Sequence, residues 1–220
     1  MAEARRRKTA VLISGRGSNL AALIFAAKDQ SYPAEIALVL ADNPDAGGLA
    51  HARDANVPCA VVDRARFATK AAFEAEMNAA LHGAGIELIC LAGFMRLLSK
   101  DFVEAWRDRM INIHPSLLPL FPGLYTHKRA LAAGVRLHGA TVHFVRHEMD
   151  TGPIVAQGAV PVMEDDDAEA LAARVLSVEH RLYPLALKLV ASGRAKVHAD
   201  RVVIDGEPGS PGSVLLSPSD

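Results

Sequence analysis

The chain has 220 residues, half of them hydrophobic, and a formal net charge of −1. That length and apolar content suffice for one well-buried domain and exclude a disordered chain, and the near-neutral charge provides no general basic field for nucleic acid. No apolar run is long enough to cross a membrane.

Arg5-Arg6-Arg7-Lys8 before Ala10–Ile13 mimics the opening of a signal peptide, but the apolar run stops at Ser14-Gly15-Arg16-Gly17, too short for a secretory core. Residues 1–8 therefore read as a solvated basic arm. Thr9–Ile13 reads as a buried strand, Ser14–Asn19 as a polar glycine-rich turn and Leu20–Lys28 as an Ala/Leu helix. Glu35–Ala41 is a second strand, Asp42–Asp45 a turn, Gly48–Ala55 a short helix stopped near Asn56, and Cys59–Val62 a third strand. Thr69–His82 has helical spacing closed by Gly83 and Gly85. Ile86–Leu91 is a fourth strand, Ser99–Trp106 a helix capped by Ser99, and Met110–His114 a fifth strand. This alternation predicts right-handed βαβ crossovers and an α/β fold: a mostly parallel twisted sheet with helices on both faces.

The pattern then changes. Thr126–Ala133 is a short helix, and Leu137–Val145 and Ile154–Val162 are β-rich around the polar link Arg146–Gly152. They predict a hairpin that adds antiparallel strands at the C-terminal edge. Asp167–Ser192 is a long helix opened by an acidic run, with Pro184 expected to kink or split it. Lys196–Ile204 suggests a small hairpin. The expected organisation is one domain over 1–205 and a Gly/Pro/Ser-rich mobile tail over 206–220. Cys59 and Cys90 lie in apolar surroundings, belong to no Cys-x-x-Cys pair and read as two buried free thiols of a reducing cytoplasm.

Met110–Gly123 carries the most chemistry. In a strand, residues i and i+2 share a face, so Asn112 and His114 point the same way at the strand's C-terminal end, where open α/β sheets hold ligands. An amide donor beside an imidazole suits oxyanion stabilisation and proton movement. Asp150, in a turn-rich link, is a candidate carboxylate partner for His114 or simply a turn former. Ser14–Asn19 follows a strand and opens a helix, which suits a phosphate cradle and equally an ordinary turn capped by Ser18 or Asn19. It is neither Gly-x-Gly-x-x-Gly nor a P-loop, which disfavours a nicotinamide cofactor or ATP. The nine histidines show no metal-ligand spacing, and Ser116 lacks a nucleophile elbow. No metal is expected.

Six segments in order resemble the folate-dependent phosphoribosylglycinamide formyltransferases of purine biosynthesis: Ser14–Leu20, Leu91–Ser99, Ile111–Gly123, His138–Val145, Asp150–Pro153 and Arg174–Pro184. The resemblance runs from about Thr9 to Ile204. It implies the formyltransferase fold and a catalytic trio of Asn112, His114 and Asp150. It implies that Gly17, Ser18 and Asn19 hold a substrate phosphate with Lys70 as basic neighbour, and that Glu179 holds the ribose hydroxyls. Met95, Arg96, Leu97 and Leu98 would border the pterin of 10-formyltetrahydrofolate, with Asn112 beside it and the backbone of Arg146, His147, Glu148, Met149 and Asp150 on its other side. The implied partners are the two small molecules, with no nucleic acid and no membrane, in a cytoplasmic monomer or homodimer. Arg16, Leu176 and Tyr125 depart from the family pattern, and Arg16 is placed to supply charge that Leu176 cannot.

Relatives with the same trio are expected to differ elsewhere. A methionyl-tRNA formyltransferase calls for a further RNA-binding domain and a basic surface, and a formyltetrahydrofolate hydrolase for a regulatory domain before the first strand. A sugar-nucleotide formyltransferase lacks this Gly-Ser-Asn loop. A non-catalytic folate- or nucleotide-binding module is the reading from a different class.

Overall fold

A computed structural model describes residues 5–206. The first four residues of the expected arm, and the expected tail beyond Gly206, lie outside the described residues. The strands β1 (Arg7–Ile13), β2 (Ala34–Ala41), β3 (Cys59–Val61), β4 (Leu88–Leu91) and β5 (Met110–His114) pair in parallel. Strands β6 (Leu137–Phe144) and β7 (Ile154–Pro161) add to β5 in antiparallel fashion. The spatial order β3-β2-β1-β4-β5-β6-β7 makes one seven-stranded sheet. The helices are α1 (Ser18–Ala27), α2 (Gly48–Asp54), α3 (Lys70–Gly83), α4 (Lys100–Ala105), α5 (Thr126–Ala132) and α6 (Ala168–Ala191). A separate hairpin, β8 (Ala195–His198) and β9 (Arg201–Ile204), follows. The α/β class and the antiparallel C-terminal edge are as the sequence pattern predicts.

Strand alternation builds two cores. Val11, Ile13, Val39, Cys90, Ile111 and Ile113 face α1, α2 and α6, while Ala10, Leu12, Leu40, Ile89, Leu91 and Met110 face α3 and α4. The α3–α4 core takes in no residue of β6 and only Val145 just beyond it. Asn112 and His114 share the parity of Met110, so they sit on this second face, where loops rather than a helix lie over the antiparallel strands. The strand order turns back on itself at β1, which has β2 on one side and β4 on the other. The carboxyl ends of β1 and β4 therefore open a crevice of the kind that holds ligands in open α/β sheets.

Three expectations are corrected. Cys59 is exposed, because its short strand β3 forms the edge of the sheet, and only Cys90 is buried. The basic arm is not wholly solvated: Arg7 and Lys8 belong to β1, and Arg6 donates from Nε to the Tyr32 carbonyl at 3.0 Å and from Nη2 to the Ala34 carbonyl at 2.7 Å. A guanidinium with five donors satisfies loose carbonyls at the sheet's start. And α6 is not split at Pro184. The turn there is held from both sides. Tyr32 donates to the Pro184 carbonyl at 2.7 Å, and the buried Tyr183 hydroxyl lies 3.0 Å from the Leu91 carbonyl and 3.1 Å from that of Ile111. These contacts, with Leu182, Ala186 and Leu187 in the core, outweigh the one helical hydrogen bond that proline removes. Among the described residues no helix is long and apolar enough to cross a membrane.

Candidate active site

Strand β5 delivers Asn112 and His114 to the open face, and the β6–β7 link returns Asp150 to them. His114 Nδ1 lies 3.4 Å from Asp150 Oδ2, both side chains nearly buried, and His114 Nε2 lies 3.0 Å from the Phe121 carbonyl. Both ring nitrogens thus face acceptors, a setting that accommodates two N–H donors. Asp150 adopts a left-handed backbone (φ 58°), and its Oδ2 also accepts the Gly123 N–H at 2.8 Å. One carboxylate oxygen therefore ties the link to the proline-rich loop after β5.

Sequence reasoning missed His143, which stands opposite Asn112 in the β5–β6 pairing. Its Nδ1 donates to the Phe144 carbonyl at 3.0 Å, which leaves Nε2 to accept from Asn112 Nδ2 at 3.2 Å. Burial holds the His143 pKa below its ordinary value, against the pull of Asp150, in keeping with a neutral ring that accepts. The imidazole orients the amide: one Asn112 N–H is committed to His143 and the other is free to serve a ligand. Nothing in spacing announces this, because antiparallel register is a tertiary fact.

The glycine loop is built by close approach. Gly17 sits at φ 79°, and a Cβ there would lie 2.5 Å from the Gly48 Cα of α2. Gly17, rather than Ser18 or Asn19, precedes the first turn of α1, and it makes no side-chain cap. The first backbone N–H groups of α1 thus have no side-chain acceptor. Asn19 instead donates to Glu179 Oε2 of α6 at 2.6 Å, and Asn19 Oδ1 is buried without a partner. Burial raises the Glu179 pKa, while Asn19 pulls it down. The structure so joins Asn19 and Glu179, which are 160 positions apart.

The remaining sequence candidates divide. Met95 and Leu97 are exposed, and Met95 N–H donates to Ser14 Oγ at 2.9 Å, fastening the loop after β4 to the loop after β1. Arg96 spans to buried Asp42 at 2.5 Å. The Leu98 side chain is buried in the α3–α4 core, which leaves its backbone on the loop after β4. Lys70 is exposed and lies 3.9 Å from Glu74, which accepts the Ser99 N–H at 2.7 Å. No contact among the described residues joins Lys70 to Gly17–Asn19. His147 and Glu148 are exposed, and the Arg146 guanidinium turns to Asp108 and Asp200 rather than into the site. Beside the trio a pocket of about 280 Å³ is lined by Leu118, Pro119, Pro122, Met149, Asp150 and Ile154. Apolar walls with a carboxylate at one end suit a flat heteroaromatic ligand with polar edges.

Residues 7–187 match the formyl transferase family. The chain is 41% identical to the phosphoribosylglycinamide formyltransferase of Escherichia coli (strain K12), covering 90% of this chain and 93% of that protein. It is 47% identical to the trifunctional purine biosynthetic protein adenosine-3 of Drosophila melanogaster over 90% of its own length, but spans only 15% of that much longer protein. The crystal structure of glycinamide ribonucleotide transformylase 1 from Symbiobacterium toebii is similar at a TM-score of 0.88 and 44% identity, covering 90% of this chain and 94% of that one.

Proposed function

The chain belongs to the formyl transferase family, and from that premise we propose that it transfers the formyl group of 10-formyltetrahydrofolate to the amine of 5′-phosphoribosylglycinamide, giving formylglycinamide ribonucleotide in de novo purine biosynthesis. The convergence of Asn112, His114 and Asp150 on one face of β5 carries the reading.

The substrate amine attacks the formyl carbon, the bond from that carbon to N10 breaks, and N10 takes the proton the amine loses. Negative charge gathers on the formyl oxygen. The free N–H of Asn112 and an N–H of His114 that turns from its resting acceptor, Asp150 or the Phe121 carbonyl, stabilise it, an effect worth about 2.7–4 kcal/mol per donor in comparable oxyanion sites. Asp150, facing His114 Nδ1, orients the ring and guides the proton towards N10. The uncapped N-terminus of α1 at Gly17, Ser18 and Asn19 takes the substrate phosphate, and Glu179, steadied by Asn19, takes the ribose hydroxyls. Exposed Met95, Leu97 and Met149 close on the pterin. Residues 5–205 act as one domain, its partners are these two small molecules, and its place is the cytoplasm.

The test combines purified protein, both substrates and product mass, with His114→Ala alongside. Formylated ribonucleotide that disappears in the variant supports the proposal. Release of formate from the folate with no formylated ribonucleotide replaces transfer with hydrolysis, and binding of both ligands without turnover replaces it with a binding module.

A further inference from the structure

The link from β6 to β7 carries Asp150, and something must hold it over the open face. Its first residue, Arg146, has a side chain only 8% exposed beneath two more exposed carboxylates. Arg146 Nη2 lies 2.8 Å from Asp108 Oδ1 in the turn before β5 and 3.1 Å from Asp200 Oδ1 in the β8–β9 turn. Its Nε donates to the same Asp200 oxygen at 3.2 Å, and Nη1 to the Val145 carbonyl at 3.1 Å. All three nitrogens are engaged, by two remote turns and by the carbonyl of the preceding residue. Asp108 and Asp200 each take a left-handed backbone (φ 56° for both), as does Ala199 (φ 48°). Non-glycine residues hold such conformations where surrounding contacts over-determine them.

The stem of Arg146 matters as much as its head. Gly152, on the returning leg of the link, sits so close to the departing leg that a Cβ would lie 1.7 Å from the Phe144 carbonyl oxygen and 3.3 Å from Arg146 Cγ. The Arg146 stem therefore borders the space a side chain at position 152 would need, two residues from Asp150, while its head is fixed outside the link. Neither Asp108 nor Asp200 contacts Asn112, His114 or Asp150 among the described residues.

We propose that Asp108, Asp200 and Arg146 form a clamp that positions the Asp150 link, so that the C-terminal β8–β9 hairpin sets how Asp150 meets His114. These are positioning residues. The proposal rests on the formyl-transfer reading for its kinetic consequence, and a misplaced reacting group loses rate more than it loses binding of a substrate held elsewhere.

The experiment compares the native chain with Asp108→Asn/Asp200→Asn and with Arg146→Lys, by steady-state kinetics, thermal unfolding and amide hydrogen exchange. The double variant is expected to lose about tenfold in kcat at an almost unchanged KM for the ribonucleotide. Exchange should speed up over residues 146–152 and stay unchanged in β5. Arg146→Lys, which keeps the charge but loses the fork, should fall between the two. Native kcat in the double variant, or a loss that merely follows a lowered unfolding temperature with exchange raised throughout, overturns the clamp. If the native chain itself forms no product, the formyl-transfer reading fails. The exchange measurement then decides the clamp alone, and unaltered exchange over 146–152 overturns it.

Discussion

Replacing Asp150 by Asn removes one charge and almost no volume, and it isolates what the carboxylate does for His114. The two groups lie 3.4 Å apart with side chains 8% and 9% exposed. At an effective dielectric of about 20, a unit charge pair at that separation is worth about 5 kcal/mol before competing terms. The Gly123 N–H that Asp150 accepts at 2.8 Å can still be accepted by an amide oxygen, so the link keeps its anchor and the fold its stability. Part of the Coulomb gain is already offset by desolvation of both groups. We therefore expect a loss of about 2.7–4 kcal/mol in the transition state, or about two to three decades in kcat. Both KM values should change by less than threefold, because Asp150 is assigned to the transition state rather than to substrate binding. Initial rates at saturating levels of each substrate, with the unfolding midpoint recorded alongside, give the answer. A kcat within threefold of native in a folded variant would refute the charge argument. An equal rise in both KM values at native kcat would reassign Asp150 to binding.

Three further outcomes follow from the geometry. His138 is buried, and burial, with His127 beside it, lowers its pKa to about 4 against the opposing pull of the Pro115 carbonyl. Its stabilising contribution is complete above the unfolded-state value of 6.5 and is lost as pH falls from there towards 4, up to about 3 kcal/mol; urea unfolding across that window should show the loss, and His138→Phe should flatten it. Tyr183→Phe removes a buried hydroxyl that serves the Leu91 and Ile111 carbonyls and should cost about 1–2 kcal/mol in denaturant unfolding, an unaltered midpoint counting against those bonds. Gly17→Ala forces a Cβ to 2.5 Å from the Gly48 Cα at a positive φ, and should raise KM for the ribonucleotide well above its effect on KM for the folate; an effect on the folate alone would detach the glycine loop from phosphate.

Much of the site was legible because it is local. Asn112 and His114 share a face by strand parity alone, whatever the rest of the chain does. The turn at Ser14–Asn19 declares itself through its glycines, although the residue at the N-cap of α1 proved to be Gly17 and Asn19 proved to be a partner of α6. The burial of the Leu98 side chain was not legible, because a loop residue between apolar neighbours gives no sign of which of them turns inward. Pro184 ran the other way: the local rule predicts a kink or a split, and the helix is not split because two tyrosine hydroxyls and a packed helix face hold it.

The sequence by itself determined the periodicities, and with them the run of strands and helices, the parallel sheet, the antiparallel edge and the residues able to do acyl-transfer chemistry. Only the tertiary structure decided which distant groups meet. His143 reaches Asn112 through the antiparallel register of β5 and β6, Glu179 reaches Asn19 across the packing of α6 on α1, and Arg146 is caught between two turns far along the chain. Periodicity is set by neighbours a few residues apart and so is written locally. Contact between remote side chains is set by register, crossing and loop path, which depend on how all the apolar faces are buried at once.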